Sequence, residues 1–280
     1  MVFRDAMYVN TMLVSSESWY YINQKNMELL NAADAKFFQI CFKSNAKTVR
    51  DAYYLETGKQ KICHIIAKRR LLFLHNILKR DKSETVRKVY EAQVLRTSKN
   101  DWISLIMKDK LVYEITLSDL EISEMSKSCF KKYIEHKIYL TAFDELMKST
   151  KSKVNNTKKS VKCDKNFKII MQPYLKTNNL TTNQKQVLFS LRNRSYNLKS
   201  NYKTQYEDNM KCRTCLNEDT IEDEIHVFEQ CCSFEEEILS SNNVKFEHIF
   251  GTISQQINAI SHFMPIINKR NILLDLQEPI

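Results

Sequence analysis

The residues most able to do chemistry sit in one short stretch, KCRTCLNEDTIEDEIHVFEQCC, where Cys212, Cys215, His226 and Cys231 are spaced C-x2-C-x10-H-x4-C. Three thiolates and one imidazole make a closed tetrahedral shell for zinc, and a C-x2-C turn lets two sulfurs meet one ion without stretching the backbone. Cys232 is an alternative fourth ligand, and Cys212 with Cys215 could instead be a redox pair, although no βαβ pattern surrounds them. Four protein ligands leave no open position for water, so the expected role is structural. Glu222 and Glu224 are read as solvated charge and not as a general base. The other four cysteines are scattered. Cys41 and Cys129 lie on helical faces beside aromatic residues and are read as buried thiols. No chemistry is assigned to His64, His75, His136, His248 or His262.

The elements that must carry this cluster are helical. The 280 residues include two glycines, Gly58 and Gly251, and three prolines. Phosphate-binding glycine loops, dinucleotide-binding turns and tight two-residue hairpins need residues that accept positive φ, so such architectures are excluded. The fold class expected is mainly α, a helical body followed by a small CCHC zinc-binding unit. Residues 23 to 43 form a helix with Met27, Leu30, Phe37 and Cys41 on its buried face. DAYYLETG is read as an extended piece ending at Gly58. Residues 61 to 80 form a basic amphipathic helix. Asp81 with Glu84, and Ser118 with Glu121, have capping-box spacing and predict helices beginning near 82 and after 118. The segment KSTKSKVNNTKKSVKCDK loses periodicity and reads as a solvated linker. The expected division is a basic helical domain over 1–147, the linker over 148–166, a helical segment with the zinc unit over 167–240, and a tail over 241–280.

Charge is unevenly placed. The net charge is +10, from 43 basic and 33 acidic residues; residues 212 to 248 alone carry ten acidic and two basic ones. The chain before Cys212 is therefore strongly basic, which suits a polyanionic partner, although a lysine-rich composition without such a partner gives the same numbers. Candidate backbone contacts to nucleic acid are Lys68, Arg69, Arg70, Arg192, Arg194, Lys199, Lys203, Lys211 and Arg213, with Lys185 beside them. Tyr196, Tyr202 and Tyr206 are candidate stacking surfaces, or else core. No apolar run approaches the roughly 18 residues of a membrane span. Residues 6 to 14 lack the parts of a signal peptide, so a nuclear or cytoplasmic protein is expected.

The segment LFSLRNRSYNLKSNYKTQY, followed by C-x2-C, an acidic stretch, E-I-H and a late cysteine, resembles the C-terminal region of non-LTR (LINE-type) retrotransposon polyproteins. Ser16, Glu17 and Trp19 in SSESWY, then YYLETGKQKICHIIAKRRLLFLHNIL and NDWISLIMKD, are similar to the helical region after the polymerase palm. The resemblance spans about residues 4 to 232. It implies the thumb side and zinc end of a reverse transcriptase. A palm needs a Tyr-x-Asp-Asp-like turn to hold two metal ions. Tyr206–Asn209 is the one near match and has a single aspartate, and Glu237, Glu247 and Asp275 form no endonuclease cluster. The implied function is a non-enzymatic module that binds RNA, DNA or a hybrid. A fragment active only with a polymerase domain in trans, and a non-functional genomic remnant, are the alternatives.

Overall fold

The computed structural model describes residues 4–19, 22–96, 101–205, 210–215, 220–240 and 244–276, with the side chains of 203 and 204 excepted. Described residues are mostly helical and hold no strand; two isolated antiparallel bridges, Cys163 with Ile169 and Lys211 with Ile221, are the β pairing seen. The helices used below are α1 (Gln24–Phe42), α2 (Arg50–Thr57), α3 (Ile62–Leu78), α4 (Thr85–Val94), α5 (Trp102–Val112), α6 (Asp119–Glu124), α7 (Lys127–Lys148), α8 (Asn155–Ser160), α9 (Thr182–Arg192) and α10 (Ile253–Asp275). No described helix is long and apolar enough to cross a membrane.

The chain forms two compact units that interleave in sequence. One holds residues 1–36, 57–149 and 162–170; the other holds 37–56, 150–161 and 171–280. The units therefore do not coincide with the divisions expected at 147, 166 and 240. Part of the lysine-rich segment is helical as well. Val154 and Thr157 are buried within it, because a single apolar residue and a hydroxyl that finds partners suffice to anchor a short turn.

In the first unit α3 is the central element. Leu71, Leu74, Ile77 and Leu78 pack with Ile103 and Ile106 of α5, Ile122 of α6 and Phe130, Ile134 and Ile138 of α7. Polar side chains set where these helices begin. Asp101 accepts from the Ser104 amide at 2.8 Å, Ser118 and Glu121 complete the predicted capping box, and Ser126 caps α7. Such caps satisfy amides that have no partner inside the helix. The helix expected near 82 starts at Thr85: the Asp81 carboxylate accepts from Ser83, and Glu84 takes the cap position. Arg70 of α3 meets Asp109 of α5 in a buried two-pronged pair, at 2.7 and 2.9 Å.

Further differences from the sequence reading lie on α1, α2 and α7. DAYYLET is helical, forming α2, with Ala52, Tyr53, Tyr54 and Leu55 all buried. Aromatic composition suggests extended chain, but burial on nearly every side favours the conformation that satisfies its own backbone groups. On α1 the buried positions are Asp34, Ala35, Phe38 and Phe42, while Cys41 is exposed and Phe37 half-buried. The buried face is thus one residue away from the one expected, because Phe42 stacks on Phe189 of α9 at 4.1 Å and Phe38 on Tyr53 at 5.6 Å. Cys129 is likewise exposed, so neither Cys41 nor Cys129 is the buried thiol expected.

The polar cluster of the first unit makes its stability pH-dependent. Buried His64 lies 2.9 Å from the Tyr113 hydroxyl and 3.3 Å from Glu145, which also accepts from Lys61 at 2.7 Å. Hydrogen bonding from His64, with Lys61 adding to it, pushes the Glu145 carboxyl down to about 2. A carboxyl depressed on folding stabilises the protein at and above the ordinary value of 4.5 and loses that contribution as pH falls toward about 2. Glu145→Gln should therefore lower stability at neutral pH and flatten its decline across that window. Denaturant melts followed by circular dichroism at several pH values measure both effects.

Candidate metal centre

The second unit brings Cys212, Cys215, His226 and Cys231 together, with all four ligand atoms within 4.8 Å of one another. Local backbone geometry sets this up. The Cys212 amide donates to the Thr220 carbonyl at 3.2 Å, and the Glu222 amide to the Met210 carbonyl at 2.9 Å, so a narrow ladder places the C-x2-C turn opposite residues 220–222. Asp223 then accepts from the His226 amide at 2.8 Å and starts the turn that carries His226, Val227 and Phe228 inward. Cys231 closes that turn and is fully buried, whereas Cys232 is exposed. Of the two candidate fourth ligands, the fold selects Cys231.

The distances fit a tetrahedral ion. Metal–sulfur bonds of about 2.3 Å and metal–nitrogen bonds of about 2.0 Å put two sulfurs about 3.8 Å apart and a sulfur and nitrogen about 3.5 Å apart. Here Cys212 Sγ lies 3.9 Å from Cys231 Sγ, and Cys215 Sγ 3.4 Å from His226 Nε2. Bonded sulfurs would stand at about 2.0 Å, so Cys212 and Cys231 are not a disulfide. The electrostatics favour a cation too. A hydrogen bond between Cys212 and Cys231 lets the two sulfurs share one proton, which lowers one thiol of the pair and raises the other. A metal ion takes the place of that shared proton. The Thr214 hydroxyl, 3.1 Å from Cys212 and 3.5 Å from Cys231, supplies an outer contact to both sulfurs.

Glu222 and Glu224 are not solvated charge, which corrects the sequence reading. Glu222 is wholly buried and holds two guanidinium groups, Arg213 Nε at 2.7 Å and Arg270 Nη2 at 2.5 Å. Both arginines also donate to the Asn197 carbonyl. Glu224 is buried and accepts from Asn201 at 3.0 Å. Nothing near the cysteines in sequence announces this, because Arg270 lies on α10, far along the chain.

The cationic candidates are placed very differently from one another. Arg192 is 0% exposed and pairs with Glu56, also 0% exposed, at 2.8 Å; it further donates to the Ile249 carbonyl and the Ser160 hydroxyl. Arg70 is buried against Asp109 in the other unit. Neither guanidinium faces solvent, so neither is placed to meet a phosphate. Lys68 pairs with Glu135, and Arg69 donates to the Leu13 carbonyl and Asn10. Arg213 is committed to Glu222, Lys199 is buried, and half-buried Lys185 reaches the Leu175 carbonyl. Arg194 and Lys211 are exposed. The side chain of Lys203 and the whole of Tyr206–Asn209 lie outside the described residues. Tyr202 is buried with its hydroxyl on the Ser195 carbonyl, and Tyr196 packs near Phe228 and Arg270, so both belong to the core.

Comparison of the chain with protein-family models, with curated proteins and with solved structures finds no match.

Two outcomes follow from this geometry. Cys231→Ser should abolish metal retention while Cys232→Ser keeps one ion per chain, as read by elemental analysis and cobalt titration. Arg192→Met strands the buried Glu56 carboxylate and should cost about 3–5 kcal/mol in urea denaturation.

Proposed function

We propose that the chain is a non-enzymatic nucleic-acid-binding module built around a structural zinc site, and that it derives from the post-palm region of a non-LTR reverse transcriptase. Zinc is the ion favoured by three thiolates and an imidazole in tetrahedral array. Cys212, Cys215, His226 and Cys231 would fill its coordination shell, so the ion supplies folding energy and no chemistry on a substrate. The Leu-Arg-x-Arg segment and the metal cluster, which carry the resemblance, lie in the same unit, and Arg213 and Arg270 join them through the Asn197 carbonyl.

The single observation that carries the nucleic-acid reading is the separation of charge. Glu222 and Glu224 of the metal region are turned inward and Glu235, Glu236 and Glu247 are exposed, whereas the basic stretch exposes Lys148, Lys151, Lys159, Lys162, Lys165 and Lys168 against the single carboxylate of Asp164. Exposed lysines meet phosphates by displacing condensed counterions. They position the polymer without reading its sequence. On this reading the phosphate contacts are expected chiefly on the lysine-rich segment and not on the arginines of α3 and α9.

A filter-binding titration against salt tests the reading. Log affinity for RNA or duplex DNA should fall linearly with log salt, and each of these lysines that contacts a phosphate should reduce the slope on duplex DNA by about 0.9 when replaced by Gln. Affinity that is flat from low to moderate salt refutes it.

A further inference from the structure

Two lysines of the second unit converge on one aromatic ring. Lys153 Nζ stands 4.9 Å from the centre of the Tyr202 ring, and Lys47 Nζ stands 5.4 Å from it. Lys153 also donates to the Asn201 carbonyl at 2.7 Å. One ammonium over a ring face is a favourable contact, but a second on the same ring brings two like charges together. Among the described residues neither lysine meets a carboxylate within 4.0 Å, whereas Lys61, Lys68 and Lys269 each do.

The surroundings of Lys153 penalise its charge. Its side chain is half-buried, with Lys47 and Arg194 both exposed. Burial first and repulsion from Lys47 second, with Arg194 adding to them, hold Lys153 below the ordinary lysine value of 10.5. Glu224 acts in the opposite sense. That carboxylate is itself buried and accepts at 3.0 Å from the side chain of Asn201, the residue whose carbonyl holds Lys153. More of this amine is therefore unprotonated at neutral pH than of a lysine in water, and the unprotonated amine is the nucleophile.

The local geometry and charge select the electrophile. An amine that gives one N–H to the Asn201 carbonyl keeps its lone pair available for attack. A carbamate nitrogen retains one N–H, so that contact survives the reaction. As an ammonium, Lys153 repels Lys47 and Arg194; as a carbamate, it attracts both. An acetyl group would remove the repulsion and leave the two cations without an anion to meet. Carbon dioxide is small and uncharged, so neither the partial burial nor the cations oppose its approach.

We propose that Lys153 is a carbamate-forming site for carbon dioxide, with its nitrogen held by the Asn201 carbonyl and the new negative charge answered by Lys47 and Arg194. This inference goes beyond the nucleic-acid reading and does not rest on it. The nitrogen lone pair forms an N–C bond to carbon dioxide, and one C–O π pair moves onto oxygen. The nitrogen then releases one proton to water, which leaves a carbamate anion. No oxidant, reductant or leaving group takes part.

The test uses the full chain loaded with zinc in isotopically labelled bicarbonate. Triethyloxonium converts a carbamate to a stable ethyl ester, and peptide mass spectrometry locates it. The ester should form on Lys153 in preference to the exposed Lys151 and Lys159, and its yield should rise with pH as more amine loses its proton. Lys153→Arg should abolish it. Lys47→Gln should cut occupancy at Lys153 about threefold or more, because it removes both the repulsion that frees the amine and the charge that holds the product. Lys47→Arg should restore it. Lys47 is exposed, and circular dichroism verifies that its variants fold. If Lys153→Arg fails to fold, the preference over Lys151 and Lys159 and the Lys47 pair decide the matter. No adduct on Lys153, or an adduct spread evenly over the exposed lysines, overturns the proposal. Acetylation of Lys153 by acetyl phosphate without any carbamate from bicarbonate overturns it in favour of a general acyl acceptor.

Discussion

A buried carboxylate that must neutralise two guanidinium groups sets the form of the unit that holds the Cys/His cluster. Glu222 sits between the second cysteine and the histidine of the ligand set, and its oxygens are shared between Arg213, from the C-x2-C turn, and Arg270, from the long C-terminal helix. Ions cannot be taken from water into a protein interior singly, because their desolvation costs several kcal/mol each unless a partner and hydrogen bonds compensate. Once Glu222 is inside, both arginines must follow it. The ladder that presents the cysteines, the Asn197 carbonyl and α10 are thereby tied to one point. The metal ligands inherit their position from this arrangement as much as from their own spacing.

The same requirement recurs elsewhere. Arg4 meets Asp34, Arg70 meets Asp109 and Arg192 meets Glu56, each pair buried. A chain with 43 basic residues thus uses several of its arginines as internal ties. The division of labour follows side-chain chemistry. A planar guanidinium holds a carboxylate by two parallel bonds, while the lysine ammonium is a strongly hydrated point charge that stays at the surface. This is why the exposed cations concentrate in the lysine-rich stretch, and why the arginines of the basic helix α3 do not form a phosphate-binding face.

Much of the architecture was legible without coordinates. Glycine scarcity indicated helices, and caps such as Ser118 with Glu121 marked a true helix start. The ligand set was readable because cysteines two residues apart, followed by His and Cys at short range, carry their geometry in their spacing. Elements whose conformation depends on what surrounds them were not readable. α2 looks extended by composition and is helical because its neighbours bury it. On α1, positions 37 and 41 fit a helical stripe as well as 38 and 42 do. Phe189, more than a hundred residues away, decides between them by stacking on Phe42.

By itself the sequence determined the helical class, the basic character of the chain before Cys212 and three of the four metal ligands, since all of these depend on residue types or on neighbours within a few turns. Tertiary structure alone decided that Cys231 and not Cys232 completes the cluster, that Glu222 and Glu224 are buried, and that Arg192 faces inward while Arg194 faces out. Each of these outcomes turns on burial and on a partner from a distant part of the chain; Glu56 and Arg192 are 136 residues apart. Two arginines separated by one residue are equal in sequence. One is removed from solvent by a carboxylate, and the other is turned outward by a left-handed residue at the end of a helix.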